Sequence, residues 1–417
     1  MNSGVPGQPG GRGSPRDARN GGDIDPAAGR AADVVISSRV RLARNLAGFR
    51  FPNRAPASER TAVVVKLKPI LLGARLSPQM EWVDLTSTTP MHRVSLVEER
   101  LISRHHAMGK PGEPMHGRAV AIGLPDRRLS IMINEEDHLR LQAIRPGFDL
   151  SGVTEEIDRA DDAIEQKADY AFSPRFGYLS ACPTNVGTGV RLSVMLHLPA
   201  LKITRELEKV KRAADDLGLT VRGSYGEGTE ATGDFYQISN QTTIGKSEAV
   251  LLREMETEII PSVIAYERTA RERLIKGGRR GMEDQAWRAV GLLLHARLLS
   301  TEEATKMLSR IRLGIALGLI PGLKLPLIQQ LLIASQPAHI QMAIGQELTQ
   351  EQRREARAAL LRSKLGEAFA PKRPPPRLIR PGSPESNPPA RPEPPVGPSN
   401  RPQEPGPNQP DSGNDRE

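Results

Sequence analysis

Four stretches of this chain carry residue types and spacings suited to chemistry. Cys182, the only cysteine, opens a Pro-Thr-Asn-Val-Gly-Thr-Gly loop, whose proline and glycines keep it out of regular helix or strand while its hydroxyl and amide groups can fix a turn. A lone cysteine there is either a small buried hydrophobe or a group displayed on a held loop among arginines such as Arg191. Arg39 and Arg41 stand two apart in an alternating stretch, so they project side by side. They form either a solvated strand face or a pair of forks for phosphate oxygens. Asn134-Glu135-Glu136-Asp137-His138-Leu139-Arg140 packs three carboxylates between a strand end and an arginine, as a solvated turn or as a grip for a cation. Glycines at 223, 226, 228 and 233 bracket a loop that presents Arg222, Glu227 and Glu230, a surface turn or a second carboxylate arm.

Strands and helices must hold these groups in place. Residues 34–42 alternate as a strand, with Ser37, Arg39 and Arg41 opposite Ile36, Ser38, Val40 and Leu42, and Arg44 is assigned to structure. From Arg191 the chain alternates again, with Leu192, Val194, Leu196 and Leu198 facing away from Arg191, Ser193, Met195 and His197. Residues 118–123 and 128–134 form a hairpin pattern across Pro125-Asp126-Arg127 that ends in the acidic run. Helical spacing covers 58–75, a helix carrying Ile157, Ala160, Ile164 and Ala168, and a stripe of Ile203, Leu207, Val210, Ala214 and Leu217 closed by Gly218. A short strand surrounds Trp82, another runs from Phe235 to Ile244, and Gly245-Lys246-Ser247 begins a long helix. Gly-Lys-Ser there is not a phosphate-binding loop, because position 240 is Asn where that motif needs glycine. From 283 to 367 the pattern is helical only, with capping-box spacings at Ser300/Glu303 and Thr349/Gln352. The expected fold is α+β: an antiparallel sheet flanked by helices over 33–274, then a small all-helical domain over 275–370.

Residues 1–32 hold almost no large apolar side chain, and 371–417 contain 16 prolines. Neither can bury enough surface to offset ordering entropy, so both are expected as disordered arms. A net charge of +9 points to an anionic partner. Only 3% of residues are aromatic, too few for the stacking platforms of single-stranded nucleic-acid binding. One cysteine makes no internal disulfide, and no apolar run reaches membrane-span length, so a cytoplasmic protein is expected.

The wording of these stretches resembles one family throughout. Cys-Pro-Thr-Asn-Val-Gly-Thr-Gly is similar to the cysteine loop of the ATP:guanido phosphotransferases (phosphagen kinases), and its continuation through His197-Leu198-Pro199-Ala200-Leu201 resembles the bacterial protein-arginine kinase branch. The resemblance covers about 33–367. It implies Glu136, Cys182 and Glu227 as the catalytic set that grips and polarises a guanidinium. It implies nucleotide contacts from Ser37, Ser38, Arg39, Val40 and Arg41; from Arg140; from Arg191, Leu192, Ser193, Val194 and Met195; and from Arg222, Gly223, Ser224, Tyr225, Gly226 and Glu227. Arg100 stands where the family places a nucleotide-binding histidine. Arg353, Arg357 and Ala358 match a phosphoarginine-binding motif whose aspartate is here Arg354, so weakened binding of phosphoarginine is expected. The resemblance implies ATP and Mg2+ and names no protein ligand for the metal; Glu135 and Asp137 stand either as neighbours of Glu136 or as metal-shell residues.

Such a set answers a specific difficulty. A guanidinium has a pKa above 12, so its nucleophilic form lies about 7 kcal/mol uphill at neutral pH. Two carboxylates can fix its plane and take its proton, arginines can neutralise the transferred phosphoryl group, and a Cys182 thiolate can add charge beside a non-reacting nitrogen. The short 1–32 arm leaves no room for the helical N-terminal domain that small-substrate relatives carry, so the acceptor is expected to be arginine in a protein. A free-arginine kinase and a non-catalytic adaptor are the alternatives. The resemblance also brings candidate partners: proteins with exposed arginines, a Clp-type chaperone or protease, a zinc-binding activator protein and a second copy of the chain, with no nucleic acid and no membrane.

Overall fold

Alternation along the first strand, Val35–Arg44 (β1), decides what each face of the sheet becomes. The computed structural model describes residues 29–109, 115–223, 232–241, 243 and 245–370, which lie within one compact unit. The further strands are Gln79–Asp84 (β2), Ala119–Leu124 (β3), Leu129–Ile133 (β4), Leu139–Pro146 (β5), the small ribbon Phe172–Ser173 (β6) and Gly177–Tyr178 (β7), then Val190–His197 (β8), Leu219–Gly223 (β9) and Phe235–Asn240 (β10). Among the described residues, eight of them form an antiparallel sheet in the order β2-β3-β4-β5-β1-β8-β10-β9. Helices flank it: Ala57–Gly73 (α1), Pro90–Glu98 (α2), Arg104–Met108 (α3), Leu150–Glu165 (α4), Pro199–Ile203 (α5), Leu207–Asp216 (α6), Glu248–Arg253 (α7) and Ile260–His295 (α8). Thr301–Ala316 (α9), Leu325–Ala334 (α10), Pro337–Ile344 (α11) and Gln350–Phe369 (α12) complete the helical region. The α+β architecture with a helical C-terminal part is thus the one expected.

One sheet face carries Val40, Leu42, Leu141, Leu192, Val194 and Ile238, buried against Leu67 of α1, Ile157 of α4 and Ile264 of α8. The other face is divided. Toward β2 it is apolar, with Val83, Val120, Ile122 and Met132 under Leu96 of α2 and Ala107 of α3. Toward the opposite end, Met195 and Phe235 pack with Ile36 and Leu332 of α10. Only the middle is polar, because register places Arg41 opposite Arg191 and Gln142, Arg140 opposite Ala43, Arg39 opposite Ser193, and Arg222 opposite Gln237.

Two elements differ from expectation. Strand β5 is new: Leu139, Leu141 and Ala143 alternate with Arg140 and Gln142, a pattern masked by the acidic run before it. The stripe expected from Ile203 to Leu217 is two helices, broken at Arg205 with φ 60°, and its end residues are 47% and 56% exposed. Gly218 does close α6 with φ +70°. Ser247 caps α7 by accepting the Val250 N–H, and a π-helical turn at Glu254–Ile259 leads into α8. Gly278 interrupts that helix close to the expected boundary at 274/275. Thr349 and Gln352 form the expected reciprocal capping box.

The helical region is fastened to the sheet at several polar points. His197 of β8 bonds Ser309 of α9 at 2.8 Å and stacks on Phe235, Arg312 donates to the Ala32 carbonyl, and Gln329 donates to that of Ile36. A separate latch joins α2 to α11. The Glu98 carboxylate accepts the Ala338 N–H, the His339 N–H and His339 Nδ1 at 3.0, 3.1 and 2.7 Å. Hydrogen bonds to Glu98 and Glu99 lift His339 to about 9 from its ordinary 6.5, against the opposing effect of burial.

This latch predicts a pH signature. A folded-state pKa above the unfolded value stabilises fully below about pH 6.5 and is lost as pH rises through about 9. His339→Gln should therefore lower Tm at pH 6, and the gap from the parent should close by pH 10. Calorimetry across that range checks it; a gap independent of pH would place the stabilisation in packing instead.

Candidate active site

The polar middle of the sheet is an arginine strip. Arg39 donates to Ser193 Oγ at 3.2 Å and to Gln237 Oε1 at 2.5 Å, and Arg191 donates to Ser239 Oγ at 3.3 Å. Burial, then the like charges of Arg100, Arg140 and Arg191, pulls Arg39 down to about 9. Arg41 is lowered by burial and by Arg39, Arg140 and Arg191, and its Nε is buried with no hydrogen-bond partner among the described residues. Cations packed so closely can hold an anion. Arg140, by contrast, is pushed upward: burial opposes this, but Glu135 outweighs it through a 2.6 Å contact. Burial would raise Glu135, yet Arg140, His105 and Ser103 hold it well below the carboxylate range.

Beside the strip opens a cleft of about 620 Å3, lined by Glu135, Glu136, Cys182, Pro183 and the segment from Arg50 to Pro56. Glu135 turns inward onto Arg140. Glu136 faces the cleft, 42% exposed and 3.7 Å from Arg140. Cys182 Sγ lies 3.1 Å from Thr184 Oγ1. The turn between β4 and β5 thus serves both sides, sending one carboxylate to the arginines and the next to the cleft.

Asp137, buried in the same turn, holds the cysteine loop. Its carboxylate accepts Asn45 Nδ2 at 2.6 Å, the Ala181 N–H at 2.8 Å and Ser180 Oγ at 2.9 Å. Ser180 Oγ in turn accepts the Cys182 N–H. From the far side Thr243 Oγ1 donates to the Val186 carbonyl at 2.6 Å. Gly189, at φ +68°, passes so near β1 that a Cβ there would lie 2.8 Å from the Ala43 carbonyl oxygen.

The structure brings Arg39, Arg41, Arg100, Arg140 and Arg191 into one cluster and carries Arg222 along the same face. Ser37 and Ser193 share that face, and Met195 lies at its apolar edge. Strand alternation turns the side chains of Ser38, Val40, Leu192 and Val194 to the opposite face. There the last three are core, and Ser38 Oγ donates to the Gly147 carbonyl. Gly223 ends β9, whereas Ser224, Tyr225, Gly226, Glu227 and Glu230 lie outside the described residues. Arg44 is structural: it bonds Asp161 and lies 3.6 Å from the Tyr178 ring centroid. In α12, Arg357 is 2% exposed, donating to the carbonyls of Ser335 and Leu299. Ala358 is core, and Arg353 donates to the Leu348 carbonyl. Asn45, Gln237 and Ser239 were not legible as site residues: the strand register reveals Gln237 and Ser239, and the hydrogen bond to Asp137 reveals Asn45.

A strip for a polyanion beside a cleft with a carboxylate and a cysteine defines a guanidino phosphotransferase. Residues 67–270 match the family model for the ATP:guanido phosphotransferase C-terminal catalytic domain, and 279–375 match that for the protein-arginine kinase McsB C-terminal domain. A protein-arginine kinase of Halalkalibacterium halodurans is 45% identical over 81% of this chain and 93% of the relative. One of Symbiobacterium thermophilum is 44% identical over 81% and 94%. The crystal structure of lombricine kinase superposes with a TM-score of 0.50 at 25% identity, covering 61% of this chain and 70% of that one. The chain belongs to the ATP:guanido phosphotransferase family, within its protein-arginine kinase branch.

Asp137 gives a test of the loop's anchoring. Replacing it by Ala strips three donors of their acceptor, each worth about 1 kcal/mol or more when left buried and unpaired. Asp137→Ala should lower kcat by about tenfold or more while ATP affinity, set by the arginine strip, stays near that of the parent. Steady-state kinetics with nucleotide titration checks this; weakened ATP binding with unchanged kcat would contradict it.

Proposed function

We propose that this chain transfers the γ-phosphoryl group of ATP to arginine side chains of proteins, with nucleotide on the arginine strip and the acceptor guanidinium in the adjoining cleft. The observation that carries the reading is the shared turn, where Glu135 neutralises Arg140 and Glu136 faces the acceptor space one residue on. Phosphoryl transfer depends mostly on positioning and electrostatics. Arg39, Arg41, Arg140, Arg191 and Arg222 hold the ATP phosphates and neutralise charge on the transferred group, with Arg100 beside them. Mg2+ would enter with the nucleotide and would supply charge neutralisation to its phosphates beside the arginines.

Glu136 orients the guanidinium plane, and Glu227 is assigned as the carboxylate opposite it. One of them accepts the proton as the N–P bond forms. Cys182 lies beside a non-reacting nitrogen and polarises the acceptor without forming a covalent intermediate. A protein acceptor is favoured over free arginine by the curated names of the relatives and by the openness of the cleft edge, where the Arg50 side chain is 69% exposed. The modification is assigned to marking proteins for quality control or degradation in the cytoplasm, with chaperone or protease partners. Among the described residues no helix is long and apolar enough to cross a membrane. With Arg357 engaged by carbonyls and Arg354 in place of an aspartate, free phosphoarginine is assigned only weak binding to α12.

The assignment is tested with Mg-ATP, an unfolded protein and acid-protected detection of phosphoarginine. Cys182→Ala and Glu227→Gln should each lower kcat at saturating ATP by about a hundredfold, the usual scale for loss of a proton-transfer or polarising group. Arg191→Ala should raise the KM for ATP as well as lower kcat. Near-parental turnover in the first two, or unchanged ATP affinity in the third, would reject the corresponding roles.

A further inference from the structure

Among the described residues, four arginines and two carboxylates line the acceptor cleft. A guanidinium must enter it, yet Arg50, Arg54, Arg60 and Arg118 line the same space as Glu136 and Cys182. Arg118 is buried and serves the wall, donating to the His105 carbonyl at 2.6 Å. Arg50 and Arg54 stand at the open edge. The Arg50 side chain is largely solvent-facing, 3.5 Å from Glu59, and Arg54 is exposed with no ion pair among the described residues. Their backbone is held, so these charges stay beside the opening. His138 Nε2 donates to the Arg50 carbonyl at 2.9 Å, and the Arg54 and Ala55 N–H groups donate to the Phe51 carbonyl. Burial lowers His138 and leaves it neutral, so it adds no charge of its own. Among the described residues two carboxylates line the cleft: Glu135 is engaged by Arg140, and Glu136 faces the entering cation, with Glu227 assigned opposite it.

An arginine flanked by lysines would therefore bring like charge against this edge. An arginine flanked by aspartate or glutamate supplies the missing counter-charges, because its own side chain reaches into the cleft while its neighbours remain at the opening. We infer that the cleft selects arginines lying among acidic residues, with Arg54 and Arg50 as the specificity-determining side chains. This rests on the acceptor site proposed above and adds the class of substrate it takes. Complementary charge at an interface edge governs specificity and encounter more than ultimate affinity, so the effect belongs in KM rather than kcat. It weakens as salt screens exposed charges.

Two peptides decide it, each with one arginine in an otherwise identical neutral sequence and flanked on both sides by either Glu or Lys, phosphorylated by the full chain with Mg-ATP. The Glu peptide is expected to have the higher kcat/KM by about tenfold, equivalent to about 1.4 kcal/mol, mainly through KM and less so at high salt. Arg54→Glu should reverse the order and Arg54→Gln should narrow it, both leaving the KM for ATP unchanged. Equal kcat/KM for the two peptides, preference for Lys, or a preference unaltered by Arg54→Glu would overturn the inference. Phosphorylation of neither peptide nor of an unfolded protein would instead remove the protein-kinase reading on which it rests.

Discussion

Mutual repulsion among arginines on one sheet face is the constraint that governs this molecule. Arg39, Arg41, Arg140 and Arg191 come from three adjacent strands and are largely withdrawn from water, a placement that costs stability unless counter-charge or rigid support offsets it. Glu135 supplies one fixed counter-charge. Support comes from the opposite face, where Val40, Leu42, Leu192 and Val194 lie in a continuous core. Side chains close-packed beneath a strand leave its residues little freedom to splay apart, so the arginines remain in register. A site preorganised in this way needs little rearrangement as charge develops during phosphoryl transfer.

The same turn that relieves the arginines builds the acceptor side. Three consecutive carboxylates take three environments there: Glu135 faces the strip, Glu136 faces the cleft, and Asp137 lies beneath the cysteine loop. A turn of φ-positive Asn134, whose amide donates to the carbonyls of Arg60 and Gly117, makes this divergence possible. In a regular strand, successive side chains would simply alternate between two faces. Cys182 and Glu136 are thereby set from one rigid point, although they lie far apart in sequence.

The helical region bears on the site through its edges. Leu332 of α10 closes one apolar end of the functional face, and α11 grips the C-terminal end of α2 through Glu98. Arg100 follows that grip directly, at φ +66°, and its carbonyl accepts Gln142 Nε2 at 2.6 Å from within the strip. The loop carrying Arg100 is thus continuous in the chain with a contact made by the helical region. This gives the C-terminal helices a physical connection to the arginine strip.

The sequence by itself determined the strand carrying Arg39 and Arg41, the hairpin leading to the acidic run, the cysteine loop, the helix caps at Ser300 and Thr349, and the family. Each of these is written in local periodicity, in short-range capping chemistry or in a contiguous motif, so neighbouring residues suffice to read it. Tertiary structure alone decided which arginines share a face, because that depends on strand order and register. It also turned Ser38, Val40, Leu192 and Val194 away from the phosphate side, and made strand β5 from residues that followed an acidic turn. The division of labour among Glu135, Glu136 and Asp137 was beyond the sequence for the same reason. Three adjacent carboxylates are chemically alike until partners as distant as Asn45, Arg140 and Ala181 are folded against them, and those partners are selected by packing rather than by proximity along the chain.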